Sequence, residues 1–592
     1  MTDDFLTYIE IINQIIFKDT FMFDNLSYYI DRINQIVWGT PTVMLLFLTG
    51  VFFTVKLGFF QFSKFRLWFS ETVLALFKNK EMRQTCDKKN VSQLQALSTA
   101  LAGTIGTGNI TGVAAALSLG GPGAVFWMWI SAIFGMMTAF AENVLGIYFR
   151  RKSTDGQWSG GPMFYIKNGL ENTVHLKKGA KPLAVLYAIF LALASFGMGN
   201  MAQTNTISDS ISSTFGVSVF AVGLICAFIT AVIISGGISR IGSFTEKLVP
   251  LMALAYIICS LYIFISNYKS IPYVFSSIFS CAFTSESVLG GLIGTAVKSA
   301  VSVGMRRGVF SNEAGLGSSV CVGSCSSVTE PVKQGMWGIF QVFFDTLIIC
   351  TITAFILLSA TVEAVPLDMA LKNISGTPQY VNINTDTHIK EKVYITDTKP
   401  NPIPIITESG KKYGVCHNGK NYFVNISHSD EYTYANILSL KGQFDENENL
   451  ENIILEPIEG AFLVTVAFKE CFGFYGSVIL TLCIVLFAFS TVIGWSFYGS
   501  KGIEFLFGQK GVKIYKTMYP AVVFLGAVTE LSVVWGISDI FNGLMAIPNL
   551  IALTVLSKTV IKITSNYLNR RKGYDIRPII NFYEDDSLLD EL

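Results

Sequence analysis

Charge is what this chain has least of. Only 14% of its 592 residues are Asp, Glu, Lys or Arg, against roughly 25% in soluble globular proteins. The charges nearly cancel, to +1, and no compact basic patch with interleaved aromatics appears. That excludes a nucleic-acid-binding reading, and no nucleic-acid partner is expected. The ten cysteines lie mostly in apolar runs (Cys226, Cys259, Cys350, Cys483), where burial is the expected role. Cys321 and Cys325 lie four apart, but no further His or Cys stands near them at zinc-ligand spacing. The first 35 residues carry Asp3, Asp4 and Glu10 and no basic run, so they do not read as a cleaved signal peptide. No hydrolase elbow, P-loop, zincin or dinucleotide fingerprint fits. An enzyme is therefore not expected, nor an organic cofactor.

What is present is hydrocarbon. Half of the residues (51%) are hydrophobic and 47 are phenylalanine, which makes this a polytopic membrane protein. Residues 1–37 alternate apolar and polar at helical spacing and are expected to lie on the membrane surface. Eleven stretches then have spanning length. The first six are Trp38–Phe60, Leu94–Leu119, Pro122–Phe149, Leu183–Asn205, Val217–Ser235 and Leu248–Ser266. The last five are Ile278–Met305, Gly335–Ala360, Tyr475–Gly494, Met518–Trp535 and Phe541–Val560. Basic residues follow every odd-numbered stretch, among them Lys64, Arg150, Arg240, Arg306, Arg307, Lys333, Lys501 and Arg570. By the positive-inside rule this puts the N-terminus outside and the C-terminus inside. Residues 38–360 and 471–565 then form the membrane core, with a cytoplasmic tail over 566–592.

Between them, residues 361–470 run polar, with fifteen acids, nine lysines and no arginine. This segment is expected outside the membrane. Strand-like patches at Lys392–Thr396 and Asn421–Ile426 suggest a small β-rich insert. His388, His417 and His428 fall in it and read as solvated surface residues.

The second spanning stretch contains the least plausible membrane helix in the chain. Residues 103–112 hold Gly103, Gly106, Gly108 and Gly112 with Thr104, Thr107 and Thr111. Glycine costs a helix about 1 kcal/mol relative to alanine. Irregular backbone survives at membrane depth only where protein or a wet cavity satisfies its polar groups. The stretch reads as a helix broken at mid-membrane, or else as a straight helix using small residues for close packing. A second glycine-rich run, Arg307 to Ser319, stands five spans later and reads as a second break, or else as an ordinary cytoplasmic turn. With opposite topology, the two runs mark two halves of an inverted repeat, which places a transporter site between them. Ser490 and Thr491 in the ninth stretch either bond back to their own helix or add oxygens to a cation cage. Glu142, Asp345 and Glu530 lie in spans, where charge is expensive. They read as structurally paired residues away from the breaks rather than as a proton relay.

Several motifs carry a resemblance. Ala102–Ile110, Gly120–Trp129, Gly160–Met163, Gly199–Asn205, Arg307–Gly315 and Phe489–Thr491 closely resemble the alanine/glycine:cation symporter family, over roughly 36–360 and 470–560. The resemblance implies an all-α protein of about eleven transmembrane helices, an extra N-terminal span plus a five-plus-five inverted repeat. It implies uptake of alanine or glycine coupled to sodium, the co-transported ion, in a bacterial inner membrane. It places the substrate carboxylate at Thr107, Gly108 and Asn109 with Gln203 opposite, and Phe310, Thr491 and Trp495 around the side chain. Sodium would sit among the carbonyls of Ala102 and Ile105 and the hydroxyls of Ser490 and Thr491. The long insert and the N-terminal extension depart from the family pattern. Proton coupling and an amino-acid receptor or transceptor using the insert remain alternatives, and the oligomeric state stays open, a monomer included.

Overall fold

A computed structural model describes residues 29–583 except 31, 84–90, 154–155, 174, 284–292 and 530. Between 360 and 460 it describes six strands only. The transmembrane part is helical. Among the described residues, seven helices are long and apolar enough to cross a membrane, and Thr111–Gly120 and Val219–Ser235 are shorter apolar ones.

The difference from eleven has local causes. The second predicted span is two pieces, Gln93–Thr104 and Thr111–Gly120, joined by a 3-10 turn at Thr107–Asn109. Neither piece has spanning length alone. The tenth predicted span ends in the helix Leu531–Val555, while its first part and the ninth fall in one helical run, Phe474–Val528, which turns at Gly508 (φ 65°, ψ −164°). Only glycine takes that conformation without strain, so the run is two helices meeting at a corner.

The seventh predicted span, Ile278–Met305, needs correction. Helices run over Ile271–Phe283 and Ile293–Asn312 instead. Arg306 and Arg307, expected in the following loop, belong to the second of these helices. They lie in electrostatic reach of Asp539, which is half-buried in the helix Leu531–Val555. Basic charge after the seventh span therefore rests on Lys333. Lys501 is likewise no loop residue. The helix continues through it, and its buried ammonium pairs with Glu504 at 2.8 Å.

Polar caps explain where several elements stop. Ser92 and Gln95 form a reciprocal capping box at the start of Gln93–Thr104, satisfying two otherwise orphaned donors. On the face that carries the C-terminus, Arg150 is buried and donates to the carbonyls of Ser324, Ser326 and Val328. Its guanidinium stacks 4.1 Å from the Trp158 ring. This one side chain closes the loop that follows the second glycine-rich run.

Within 361–470 the strands form a closed barrel. Its order is Gln379–Ile383, Lys390–Thr396, Thr433–Ile437, Lys420–His428, Tyr413–His417, Ile454–Pro457. The predicted patches Lys392–Thr396 and Asn421–Ile426 fall in the second and fourth of these strands.

Candidate functional site

The first break is built by two residues that leave the helix in turn, Ile105 and Gly106. Ile105 still donates to Leu101 at 2.7 Å, but its ψ of 88° ends the helix. Gly106 is extended (φ −132°, ψ −154°), and a single 3-10 turn follows before the chain becomes helical again. The whole stretch Leu101–Ile110 is buried, so its loosened N–H and C=O groups must find partners inside the protein.

One partner is Thr491. Its hydroxyl lies 3.0 Å from the Ala102 carbonyl, 3.4 Å from that of Ile105 and 3.1 Å from that of Phe487. Gly106 makes the approach possible, because a Cβ there would overlap Thr491 Oγ1 and come within 3.3 Å of Gln203 Oε1. Ser490 is buried too, but its hydroxyl donates to Phe487 on its own helix at 2.8 Å. A second partner is Gln203, whose Oε1 accepts from the Thr107 hydroxyl at 3.0 Å and the Thr107 N–H at 3.3 Å. Its amide nitrogen donates to Met198 O. Gln203 lies two residues after a π-helical turn, Gly197–Met201, a feature frequent at functional sites.

Phe310, from the second broken run, packs its ring over Gly108, where a Cβ would lie 3.5 Å away. Trp495 stands elsewhere in the site. Its indole N–H faces the Gly103 carbonyl at 3.2 Å and Glu313 Oε1 at 3.0 Å, and its Cβ fills the space that Gly199 leaves open. It thus ties the ninth span to both breaks. Further along its helix, Ser496, Ser500, Lys501 and Glu504 line a polar cavity of about 140 Å³.

Asn109 is the most heavily bonded of the predicted residues. Its Oδ1 accepts from Gly106 N at 3.0 Å, and its Nδ2 donates to Asp345 Oδ1 at 2.8 Å and Ser311 Oγ at 3.1 Å. Asp345 was expected away from the breaks and is instead fully buried against the first. It sits in a π-helical stretch, Phe343–Cys350, and also accepts from Ser311 at 2.5 Å. Glu142, also expected away, accepts from Gly315 N at 3.0 Å in the second break. Glu313, not singled out from sequence, is held by Ser318 and Trp495. A carboxylate at membrane depth is costly enough to flag on its own, and that signal outweighs distance along the chain. Glu530 lies outside the described residues.

The second run has its own irregular backbone. Glu313 (φ 58°), Gly315 (φ 94°) and Gly317 (φ 74°) are all left-handed, so the helix Ile293–Asn312 cannot continue. Two interrupted helices whose breaks meet, through Asn109 and Ser311 and through Phe310 over Gly108, have the arrangement of a secondary transporter.

The chain belongs to the sodium:alanine symporter family, whose model matches residues 23–383 and 445–580. The gap between the matched ranges falls in the strand-bearing insert. The chain is 36% identical to the sodium/alanine symporter AgcS of Methanococcus maripaludis, over 92% of this chain and 98% of that one. It is 32% identical to the amino-acid carrier protein AlsT of Bacillus subtilis, over 91% of each. A probable sodium/glutamine symporter of Bacillus subtilis, GlnT, matches at 30% over 95% and 94%. A solved structure of MhsT in complex with L-phenylalanine aligns at 12% identity and TM-score 0.46, covering 81% of this chain and 98% of that one. The protein is an integral membrane transporter of the amino-acid symport class, and not an enzyme.

Proposed function

We propose that the protein imports small neutral amino acids, alanine and glycine, driven by sodium and working by alternating access. The observation that carries this reading is that one break faces two different polar sets. On one side, the Ala102 and Ile105 carbonyls converge on the Thr491 hydroxyl. Such neutral oxygens suit a hard monovalent cation, by analogy with the oxygen ligands of Mg²⁺ and Ca²⁺. On the other, Thr107, Gly108 and Asn109 begin a half-helix whose N-terminal dipole favours a carboxylate, with Gln203 beside them. Phe310 over Gly108 leaves room for a small side chain only. In this reading Ser490 completes the cage by rotating away from Phe487, and Trp495 closes the site from the Gly103 side. The membrane is a bacterial inner membrane, with the N-terminus and the insert outside and the C-terminus inside.

The driving force suffices. A tenfold sodium gradient contributes about 1.4 kcal/mol, and 100 mV adds about 2.3 kcal/mol per charge. Together they support a substrate gradient of roughly a few hundredfold at one-to-one coupling.

One observation favours a second reading, coupling to protons. Asp345 places a buried carboxylate directly on Asn109, the group a proton-driven carrier needs. Counterflow in proteoliposomes separates the two. Labelled alanine, glycine and serine are offered with sodium, with lithium, or with a pH gradient alone. Accumulation of alanine that requires sodium supports the first reading, and accumulation on a pH gradient without sodium refutes it.

A further inference from the structure

The two halves of the membrane core carry the same spaced pattern. Asn109 is followed 33 residues later by Glu142, and Asn312 is followed 33 residues later by Asp345. Within the later helix of each half, Gly135, Phe140 and Glu142 have the spacing of Gly338, Phe343 and Asp345. The two glycines have related surroundings. A Cβ on Gly135 would press on Ala314 in the second break, and one on Gly338 would strike the Ala139 carbonyl and Asn143 of the helix that carries Glu142. Each glycine therefore marks a close approach to the other half.

The carboxylates reach across in the same way. Glu142, from the first half, accepts from Gly315 N in the second half's break. Asp345, from the second half, accepts from Asn109 in the first half's break, and also holds Ser311 beside its own break. Glu142 is braced from behind by Asn549, whose amide donates to it at 2.6 Å and to the Gly315 carbonyl at 2.9 Å. Tyr165 in turn donates to Asn549 Oδ1. Among the described residues, no Lys or Arg forms a salt bridge to either carboxylate.

We propose that Glu142 and Asp345 are exchanged positioning residues: each half's acid holds the other half's break, so that the two breaks change shape together. Among the described residues, Glu142 hydrogen-bonds Gly315 and Asn549 and neither the Thr107–Asn109 turn nor Thr491. Its contribution is to keep the left-handed Gly315–Gly317 backbone in place, and through it Phe310 and Glu313, which meet Gly108 and Trp495. Part of the effect of sodium at the first break on substrate binding then passes through the second break, which supplies Phe310 over Gly108. A carboxylate suits this task because its oxygen accepts several backbone and amide donors at once.

The inference rests on the sodium and amino-acid reading above, and its test separates the two. Binding of labelled alanine to purified, monodisperse protein is measured with and without sodium. In the wild type sodium is expected to tighten binding, and absence of that effect would defeat the functional reading rather than the tie. With the wild-type effect present, E142A is expected to lose at least tenfold of the sodium stimulation. E142Q, whose amide oxygen still accepts from Gly315, is expected to keep at least a third of it. N549A, which leaves Glu142 in place but unbraced, is expected to lose about threefold and serves if E142A does not fold. Unchanged stimulation in E142A, or in N549A where E142A gives no protein, overturns the tie. So does an E142Q as damaged as E142A, since that would assign the role to the charge or a proton and not to the held backbone.

Discussion

The Thr491 hydroxyl lies 3.0 Å from the Ala102 carbonyl, 389 residues earlier in the chain. No helical geometry links the two, and the contact exists because Gly106 carries no side chain between them. It is where the ninth span meets the first break.

Thr491 is therefore the residue on which sodium dependence is expected to hinge. Replacing it by valine keeps the shape and removes the oxygen. T491V should raise the sodium concentration for half-maximal alanine uptake at least tenfold, whereas T491S should stay within about threefold of wild type. S490A should have a smaller effect than T491V, since the Ser490 hydroxyl bonds its own helix. An unchanged sodium requirement in T491V would refute the cage.

Gly106 tests space alone. Its φ of −132° is open to any residue, so backbone strain does not enter. The added methyl of G106A would overlap Thr491 Oγ1 and crowd Gln203 Oε1. Overpacking a well-packed interior costs typically 1–3 kcal/mol, which here falls on the site itself. G106A is expected to reach the membrane and to lose uptake almost completely. G112A, where nothing lies within 4 Å of the new methyl, should transport normally in the same assay.

Gln203 and Asn109 are both fully committed side chains, so truncating either leaves buried polar groups without a partner. In Q203A the Thr107 N–H and hydroxyl lose their partner. In N109A, Gly106 N and Asp345 do. Each unsatisfied buried group costs about 1–3 kcal/mol. Both variants should lose sodium-dependent alanine uptake while surface expression is retained, and wild-type uptake in both would sink the assignment of this turn to the substrate.

How much of this was legible in the sequence follows from what each signal depends on. The first break was visible because glycine and threonine at membrane depth violate a local rule. The second was visible for the same reason, helped by its place five spans later. Asp345 and Glu142 were misplaced because their neighbours come from packing between halves, which distance along the chain does not encode. The π-helical stretch Phe343–Cys350 that carries Asp345 has no sequence mark that sets it apart from an ordinary helix. Arg306 and Arg307 were misread because charge counting assumes that a span ends where its hydrophobicity does, and here the helix runs on to Asn312. Lys501 repeats the lesson, as its apolar stem and a partner one turn away, Glu504, let it stay inside.

Two arginines on the face that carries the C-terminus give the last prediction, because both are hydrogen-bonded but one is exposed and the other buried. Arg571 bonds Glu71 at 2.6 Å, but its side chain is 49% exposed. Exposed ion pairs contribute little, usually well under about 1 kcal/mol, so R571A should leave the thermal midpoint of the purified protein within about one degree. Arg150 is 4% exposed and closes three carbonyls at once, at 3.2, 2.8 and 2.6 Å. Its own backbone carbonyl is capped by Asn581, so the tail docks on the same point. R150A removes a charged donor from three buried acceptors, each worth about 1.5–3 kcal/mol when the bond is charge-assisted. It should lower the midpoint by many degrees, and R150K, with one ammonium for three separate carbonyls, should recover only part of the loss. Equal midpoints for R150A and R571A would show that burial does not decide the strength of these contacts.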